Sequence, residues 1–355
     1  MRRTFRNSRQ SIAYDAYSKT MNISRREFLY GTAAFAAMPP LAPLGHPPCG
    51  QPAAGGYALA GGASGRPLSA STPFNRSVKL RDDLIDNWDT ATGLVEPKDF
   101  FAYMRDGDTR GLKALAALER AFEKVMREAK KTVVKGDAPA VWSVYNMGYV
   151  VKTRESLFTI DIKHRRDEEL VPSLDFALVT HNHGDHFRRE FCKAMDAAGK
   201  PLVSSFVKNA AFNGIKAAAD ASGSPDEFKI RDVKIRTFRI DHAAAEWGID
   251  FTTAFEMHIG DFRLLHTGDC GVANDKLRVK LGRPDLWLLF PMSSLDVADA
   301  VRRIQPKRCV FGHLWELGHA VGKGRAHKWH IYRALPKAQT MCGDTTVAFW
   351  GDRII

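Results

Sequence analysis

The apolar run Leu174-Asp175-Phe176-Ala177-Leu178-Val179-Thr180 leads straight into His181-Asn182-His183-Gly184-Asp185-His186. The first segment has the length and composition of a buried strand. The second packs three imidazoles and a carboxylate into six residues. In an extended or looping segment, side chains at i and i+2 can point the same way, so His181 and His183 can share one metal ion. Gly184 permits a turn that directs Asp185 and His186 toward a second ion. Nitrogen and oxygen donors of this kind suit zinc. A polar surface loop is the plain alternative, and the buried strand that feeds the motif argues against it. Four ligands cannot complete two coordination spheres, so others must come from elsewhere in the chain.

Working outward, short strands and helices alternate from about residue 140. Val141–Thr153 and Ser156–Ile162 read as a strand pair around the polar turn Arg154-Glu155. Arg188–Ala198 reads as a helix, Pro201–Phe206 as a strand and Val207–Ala218 as another helix. Asp232–Ile240 is a strand that ends at Asp241-His242. Thr252–Ile259 and Phe262–His266 form a hairpin turning at Gly260-Asp261. Leu286–Phe290, Arg308–Gly312 and Thr345–Trp350 read as strands, with helices at Leu295–Ile304 and His327–Leu335. Three ligand candidates stand just past strand ends: His242, Asp269 in His266-Thr267-Gly268-Asp269, and His313 after Gly312. Sites built on loops at sheet ends commonly have this layout. His319 competes with His313. Glu316 and His319 either orient a ligand or cap a helix at the surface. His258, His266 and His319 can each supply a proton, although spacing demands none of them. His266 reads as structural, Cys270 as a small packed residue, and His327 and His330 as surface positions on a helix.

The ordered series His-x-His-x-Asp-His, a lone His, Thr-Gly-Asp and a last His resembles the metallo-β-lactamase superfamily over about residues 140–350. That resemblance implies an α/β fold, an αββα sandwich with two divalent ions at one edge of its two sheets. It implies His181, His183 and His242 on the first ion, and Asp185, His186 and His313 on the second, with Asp269 bridging. Asp161 matches the acidic residue that supports the motif loop from behind. Zn2+ is the expected metal, with Mn2+ or Fe as alternatives. Two such ions lower the pKa of a shared water, with Asp185 orienting it for attack on an ester, lactone or phosphodiester. The lactonase-like, general metal-dependent hydrolase branch is the expected place. Rivals are a mononuclear iron persulfide dioxygenase and an N-acyl-lipid phospholipase-like phosphodiesterase of the same fold. A non-catalytic binding protein is disfavoured by the full ligand set.

The N-terminal part of the 355-residue chain reads differently. Ser24-Arg25-Arg26-Glu27-Phe28-Leu29 is a twin-arginine pattern, followed by a mildly apolar stretch and a Pro, Gly and Ala-rich segment. Residues 1–60 therefore resemble a twin-arginine (Tat) export signal and linker, with a small-x-small site at Ala58-Leu59-Ala60 and a start possible at Met21. Export implies a periplasmic or secreted protein that meets the Tat translocase. Residues 61–139 read as an extension with one long helix, Gly111 to Lys131, whose Leu112, Leu115, Leu118, Phe122, Val125, Met126 and Ala129 share a face. Residues 140–355 form the hydrolase domain. No uninterrupted apolar stretch approaches the length of a membrane-spanning helix. Of the net charge of +12, the first 60 residues carry +5. No Lys/Arg block interleaves with aromatics, so nucleic acid is not an expected partner, whereas a small-molecule or lipid-like substrate is. Cys49, Cys192, Cys270, Cys309 and Cys342 contain no CxxC pair, which excludes a cysteine zinc site. Substrate identity and oligomeric state are left open by the sequence.

Overall fold

The computed structural model describes residues 78–212, 226–242, 251–271, 283–291, 296–321 and 325–355. The twin-arginine segment, its linker and most of the loops at 243–250 and 272–282 lie outside the described residues. Among those described, twelve strands form two sheets. The first has five strands in sequence order, β1 Ala140–Ser143, β2 Tyr149–Lys152, β3 Leu157–Ile160, β4 Phe176–Val179 and β5 Leu202–Ser204. The second contains seven, running from β12 Thr345–Val347 back to β6 Asp226–Ile230. Its middle is made of β7 Val233–Asp241, β8 Phe251–Ile259, β9 Phe262–His266, β10 Leu286–Leu289 and β11 Arg308–Phe311.

Alternation along the strands separates two apolar layers. Val141, Tyr149, Phe176, Leu178, Met257, Leu264, Leu288 and Val310 pack between the sheets. Their neighbours Trp142, Val150, Ala177, Val179, Leu265, Leu289 and Phe311 join the helices in the other layer. The central strands are thus apolar on both faces, whereas β6 and β7 at the sheet edge alternate with polar residues, and two helix-covered sheets result.

Some sequence boundaries change. Val141–Thr153 is not one strand: it breaks into β1 and β2 around a tight turn in which Gly148 N donates to Tyr145 O at 2.7 Å. A Cβ on Gly148 would meet two backbone oxygens at 2.8 and 2.9 Å, so the turn requires glycine. Residues 207–212 form a bridged turn rather than the start of a helix, with Asn209 paired to Phe212. The rest of that expected helix lies outside the described residues.

Residues 78–131 form three helices where the sequence reading resolved only the last: α1 Val78–Gly93, α2 Pro97–Asp106 and α3 Lys113–Lys131. The first two lack the clean apolar periodicity of α3 and were therefore hidden. All three are bound to the sandwich by aromatic side chains. Trp88 of α1 meets Trp315 and Trp350, with ring centroids 5.8 and 4.7 Å away. Phe100 of α2 stacks on Tyr145 at 5.4 Å. Phe122 of α3 stacks on the buried His164 at 3.9 Å, while Tyr103 OH meets His164 Nε2 at 2.9 Å. Among the described residues, the other α-helices are α4 Arg189–Ala197, α5 Val297–Ile304 and α6 Lys328–Met341. His327 caps α6 through a reciprocal bond pattern with His330.

Burial holds His164 neutral, with its pKa pushed down to about 3. The unfolded chain takes up a proton there below about pH 6.5, whereas the native state does so only near 3, so native stability falls as pH drops through that window. Urea unfolding of wild type and His164→Gln at pH 6.5 and pH 5 is expected to show the wild type losing about 1.5 kcal/mol more than the variant. Equal losses would mean that the folded ring takes up its proton over the same pH window as the unfolded one.

Candidate functional site

The site lies at one edge of both sheets and grows from strand ends. β4 delivers Thr180 and the histidine motif, β7 ends beside His242, β9 leads to Asp269, and β11 leads through Gly312 to His313. The β7 and β9 ends are tied together by a bridge between His242 and Cys270, and by Gly271 N donating to Asp241 O at 3.0 Å. Gly268 has φ +53, and a Cβ there would strike the Thr252 hydroxyl and the Thr180 side chain. Asn146, Asp161, His313 and Trp315 also have positive φ. Each non-glycine residue in that region costs on the order of 1 kcal/mol, a concentration of strain typical of functional sites.

Asp161 supports the motif from beneath, as the sequence resemblance implied. It is fully buried, and its Oδ1 accepts from Thr180 N at 2.8 Å. Its Oδ2 accepts from Thr180 Oγ1 at 2.6 Å and meets His186 Nδ1 at 2.8 Å. With Nδ1 so engaged, His186 presents Nε2 to the cluster.

All seven residues singled out in the sequence converge. His181, His183, His242 and Asp269 place ligand atoms within 4.8 Å of one another, and so do Asp185, His186, Asp269 and His313. Asp269 Oδ2 stands 3.1 Å from His186 Nε2, 3.0 Å from His313 Nε2, 3.8 Å from His181 Nε2 and 3.9 Å from His242 Nε2. Asp185 Oδ2 is 3.1 Å from His313 Nε2 and 3.4 Å from His186 Nε2. Donors on a tetrahedral zinc shell of about 2.0–2.1 Å radius are spaced by roughly 3.3 Å, so these separations fit ions at the two centres. Asp269 Oδ1 and His313 Nδ1 are buried with no hydrogen-bond partner among the described residues. A carboxylate common to both groups, with one oxygen unsatisfied, fits a bridging ligand.

The electrostatics divide the same way. Burial holds His181 and His242 below the ordinary imidazole range and brings His183 down to about 4. Neutral rings offer the lone pairs that metal binding needs. Burial also opposes charge on His186 and His313, but the surrounding carboxylates outweigh it, raising His186 strongly and His313 to about 10. Burial pushes Asp185 and Asp269 upward, and the imidazoles of His186 and His313 more than reverse that. Those imidazolium protons balance the two carboxylates, and cations entering this centre displace them.

Several site residues carried no sequence signal. Asn146 Nδ2 donates to Asp185 Oδ2 at 2.9 Å, and Asn146 O accepts from His313 N at 3.1 Å. Lys163, almost fully buried, donates from Nζ to Gly184 O. Both residues sit in loops outside the motif, and Asn146 lies in a turn that the sequence presented as part of one strand. Among the other histidines, His266 is structural, meeting Met147 O at 3.1 Å. His258 lies at the far end of β8, paired in register with Lys234 at the start of β7. Glu316 has no exposed surface, which rules out the surface-cap reading. Cys270 is buried, as expected.

Residues 142–310 match the model of the beta-lactamase superfamily domain. A UPF0173 protein of Pyrococcus abyssi is 24% identical over 184 residues, covering 50% of this chain and 83% of the relative. A UPF0173 metal-dependent hydrolase of Korarchaeum cryptofilum is 27% identical over 173 residues, covering 46% of this chain and 76% of the relative. Among solved structures, a metallo-beta-lactamase fold protein from Bacillus subtilis aligns over 61% of this chain and 98% of its own, at 13% identity and a TM-score of 0.44.

Removing the support from beneath the motif tests the arrangement. Asp161→Asn is expected to weaken zinc affinity by about 10–100-fold, measured by competition with a chromophoric chelator. Unchanged affinity in a folded variant would show that Asp161 does not orient His186.

Proposed function

We propose that this chain, whose residues 142–310 match the beta-lactamase superfamily domain model, is a metal-dependent hydrolase of the metallo-β-lactamase superfamily with two bound divalent ions, Zn2+ in both positions. Its substrate class is an ester, lactone or phosphodiester. The observation that carries the reading is the pair of four-residue ligand groups sharing Asp269. A mononuclear iron dioxygenase needs only the first group, and the complete second group of Asp185, His186 and His313 favours the hydrolase.

His181, His183 and His242 would hold the first ion and Asp185, His186 and His313 the second, with Asp269 between them. Two such ions would supply a water of lowered pKa and polarise a substrate oxygen. Protein residues do the rest. Asp185, steadied by Asn146, orients the attacking water and accepts its proton. Asp161 holds the His186 ring in the tautomer that directs Nε2 inward. Lys163 fixes the Gly184 carbonyl and with it the turn that aims Asp185.

Elemental mass spectrometry on the purified full chain is expected to find two zinc ions per chain. In the same preparation Asp185→Asn is expected to keep its fold by circular dichroism and to lose more than about 100-fold in turnover, beyond the cost of losing an outer support. A single iron retained after His313→Ala would instead support the dioxygenase.

The twin-arginine pattern supports export, and we place the protein outside the cytoplasm on that basis. Replacing both Arg25 and Arg26 by Lys is expected to leave the protein in the cytoplasmic fraction of a Tat-competent host. Export that continues in the double variant would remove the signal assignment.

A further inference from the structure

Among the described residues, the Asp161 carboxylate hydrogen-bonds directly to one imidazole of the cluster, that of His186. Its influence reaches a second ring through Thr180. Thr180 Oγ1 lies 2.6 Å from Asp161 Oδ2 and 2.9 Å from His181 Nδ1. A hydroxyl has one proton to give, so only one of these contacts is donated by Thr180. At 2.6 Å the contact with the carboxylate has the length of a charge-assisted O–H···O bond. With the proton turned to His181 instead, the Thr180 and Asp161 oxygens would face each other at that distance with nothing between them. The hydroxyl therefore donates to Asp161, and the His181 ring donates to the hydroxyl from Nδ1–H. That leaves His181 Nε2 as the bare lone pair. It stands 3.1 Å from His183 Nδ1 and 3.8 Å from Asp269 Oδ2, among the donors of the first ligand group.

The fold holds this hydroxyl in one place. Thr180 has no exposed surface. Its N donates to Asp161 Oδ1 at 2.8 Å, and its carbonyl accepts from Thr253 N of β8 at 2.9 Å, so the residue is pinned between the two sheets. Gly268 packs against its side chain: a Cβ there would come within 2.9 Å of Thr180 Cβ and 3.0 Å of Thr180 Oγ1. A β-branched side chain is also stiff about its first torsion, which limits the directions the oxygen can take. Thr180 is thus fixed by its backbone, by its neighbours and by its own branching, with its oxygen between Asp161 and His181.

We propose that Thr180 is a positioning residue that relays the orienting effect of Asp161 to His181, so that one buried carboxylate fixes a ring in each of the two ligand groups. The inference rests on the two-ion reading above. His186 is engaged directly and presents Nε2 to the second group. His181 is engaged through the hydroxyl and presents Nε2 to the first. A ligand imidazole whose other nitrogen is hydrogen-bonded keeps both its orientation and its tautomer. Without the hydroxyl, Nδ1–H of His181 has no acceptor, and the tautomer that carries its proton on Nε2, where a metal cannot bind, is no longer disfavoured.

Two substitutions separate the oxygen from the shape of the side chain: Thr180→Val removes the hydroxyl at nearly constant volume, and Thr180→Ser keeps it. Each is made in the full chain carrying His313→Ala, which leaves the first ligand group complete, and zinc affinity is measured by chelator competition. Thr180→Val is expected to weaken binding by about 10–100-fold and Thr180→Ser by less than about 3-fold. The second readout is the downfield proton NMR resonance of His181 Nδ1–H in the zinc-loaded chain with His313 intact. It is expected to move upfield in Thr180→Val and to persist in Thr180→Ser. It is also expected to move in Asp161→Asn, although Asp161 makes no hydrogen bond to His181 itself. A His181 resonance that ignores Asp161→Asn, or a Thr180→Ser variant as weak as Thr180→Val, overturns the relay and leaves the two-ion reading standing. If Thr180→Val does not fold, the Thr180→Ser affinity and the Asp161→Asn resonance decide the matter alone. A wild-type chain that binds no zinc overturns both readings.

Discussion

Five imidazoles and two carboxylates share one largely buried volume at the sheet edge, and the Asp161 carboxylate sets their arrangement. Its own position comes from the sheet: Asp161 N donates to Leu178 O at 3.0 Å, continuing the parallel pairing of β3 with β4. The carboxylate is thereby brought beneath Thr180 and His186, where it can accept from the backbone, a hydroxyl and a ring at once. So many ionisable groups in a low-dielectric space are costly unless they are paired. Without cations, protons on His186 and His313 supply part of the balance. Divalent ions would supply it more completely, and the unsatisfied Asp269 Oδ1 stands where two ligand groups meet.

The helices before β1 are structurally continuous with this centre. α3 covers the first sheet, with Trp142 Nε1 donating to Glu128 at 2.9 Å and Lys152 Nζ to Ala129 O at 2.7 Å. α2 and α3 enclose His164, three residues past Asp161 on the segment that carries Lys163. α1 reaches the 313–319 loop through Trp88 and through the Arg325 clamp. The loop that follows His313 is thus supported from outside the sandwich. An αββα sandwich lacking those helices would leave the buried Glu316 and Arg325 with fewer partners, and buried charges without partners are strongly destabilising.

The sequence carried much of this site because metal chemistry constrains residue type and local spacing together. His181 through His186 are legible because four ligands fall within a single turn-forming segment. His242, Asp269 and His313 are legible because each follows an apolar strand. α3 is legible because its apolar residues recur on one face over five turns. α1 and α2 were not, since their burial is achieved by a few aromatic residues without a regular stripe. The break between β1 and β2 was missed because Val144, Tyr145 and Met147 are apolar and buried even though they turn.

By itself, then, the order of His and Asp residues along the chain carried the resemblance that implied the fold class and the seven residues of the cluster, because residue type and spacing are local properties. Only the tertiary structure decided the supporting set. Asn146, Lys163, Tyr145 and Arg325 act through hydrogen bonds to other segments of the chain, among them Asp185, Gly184, Glu316 and Thr92. Glu316 and His319, left between an orienting role and a surface cap by their spacing, became a buried carboxylate paired with a partly exposed ring because packing of α1 and α2 supports their loop. Such contacts depend on which segments the sheets bring together, and no spacing within one segment encodes that.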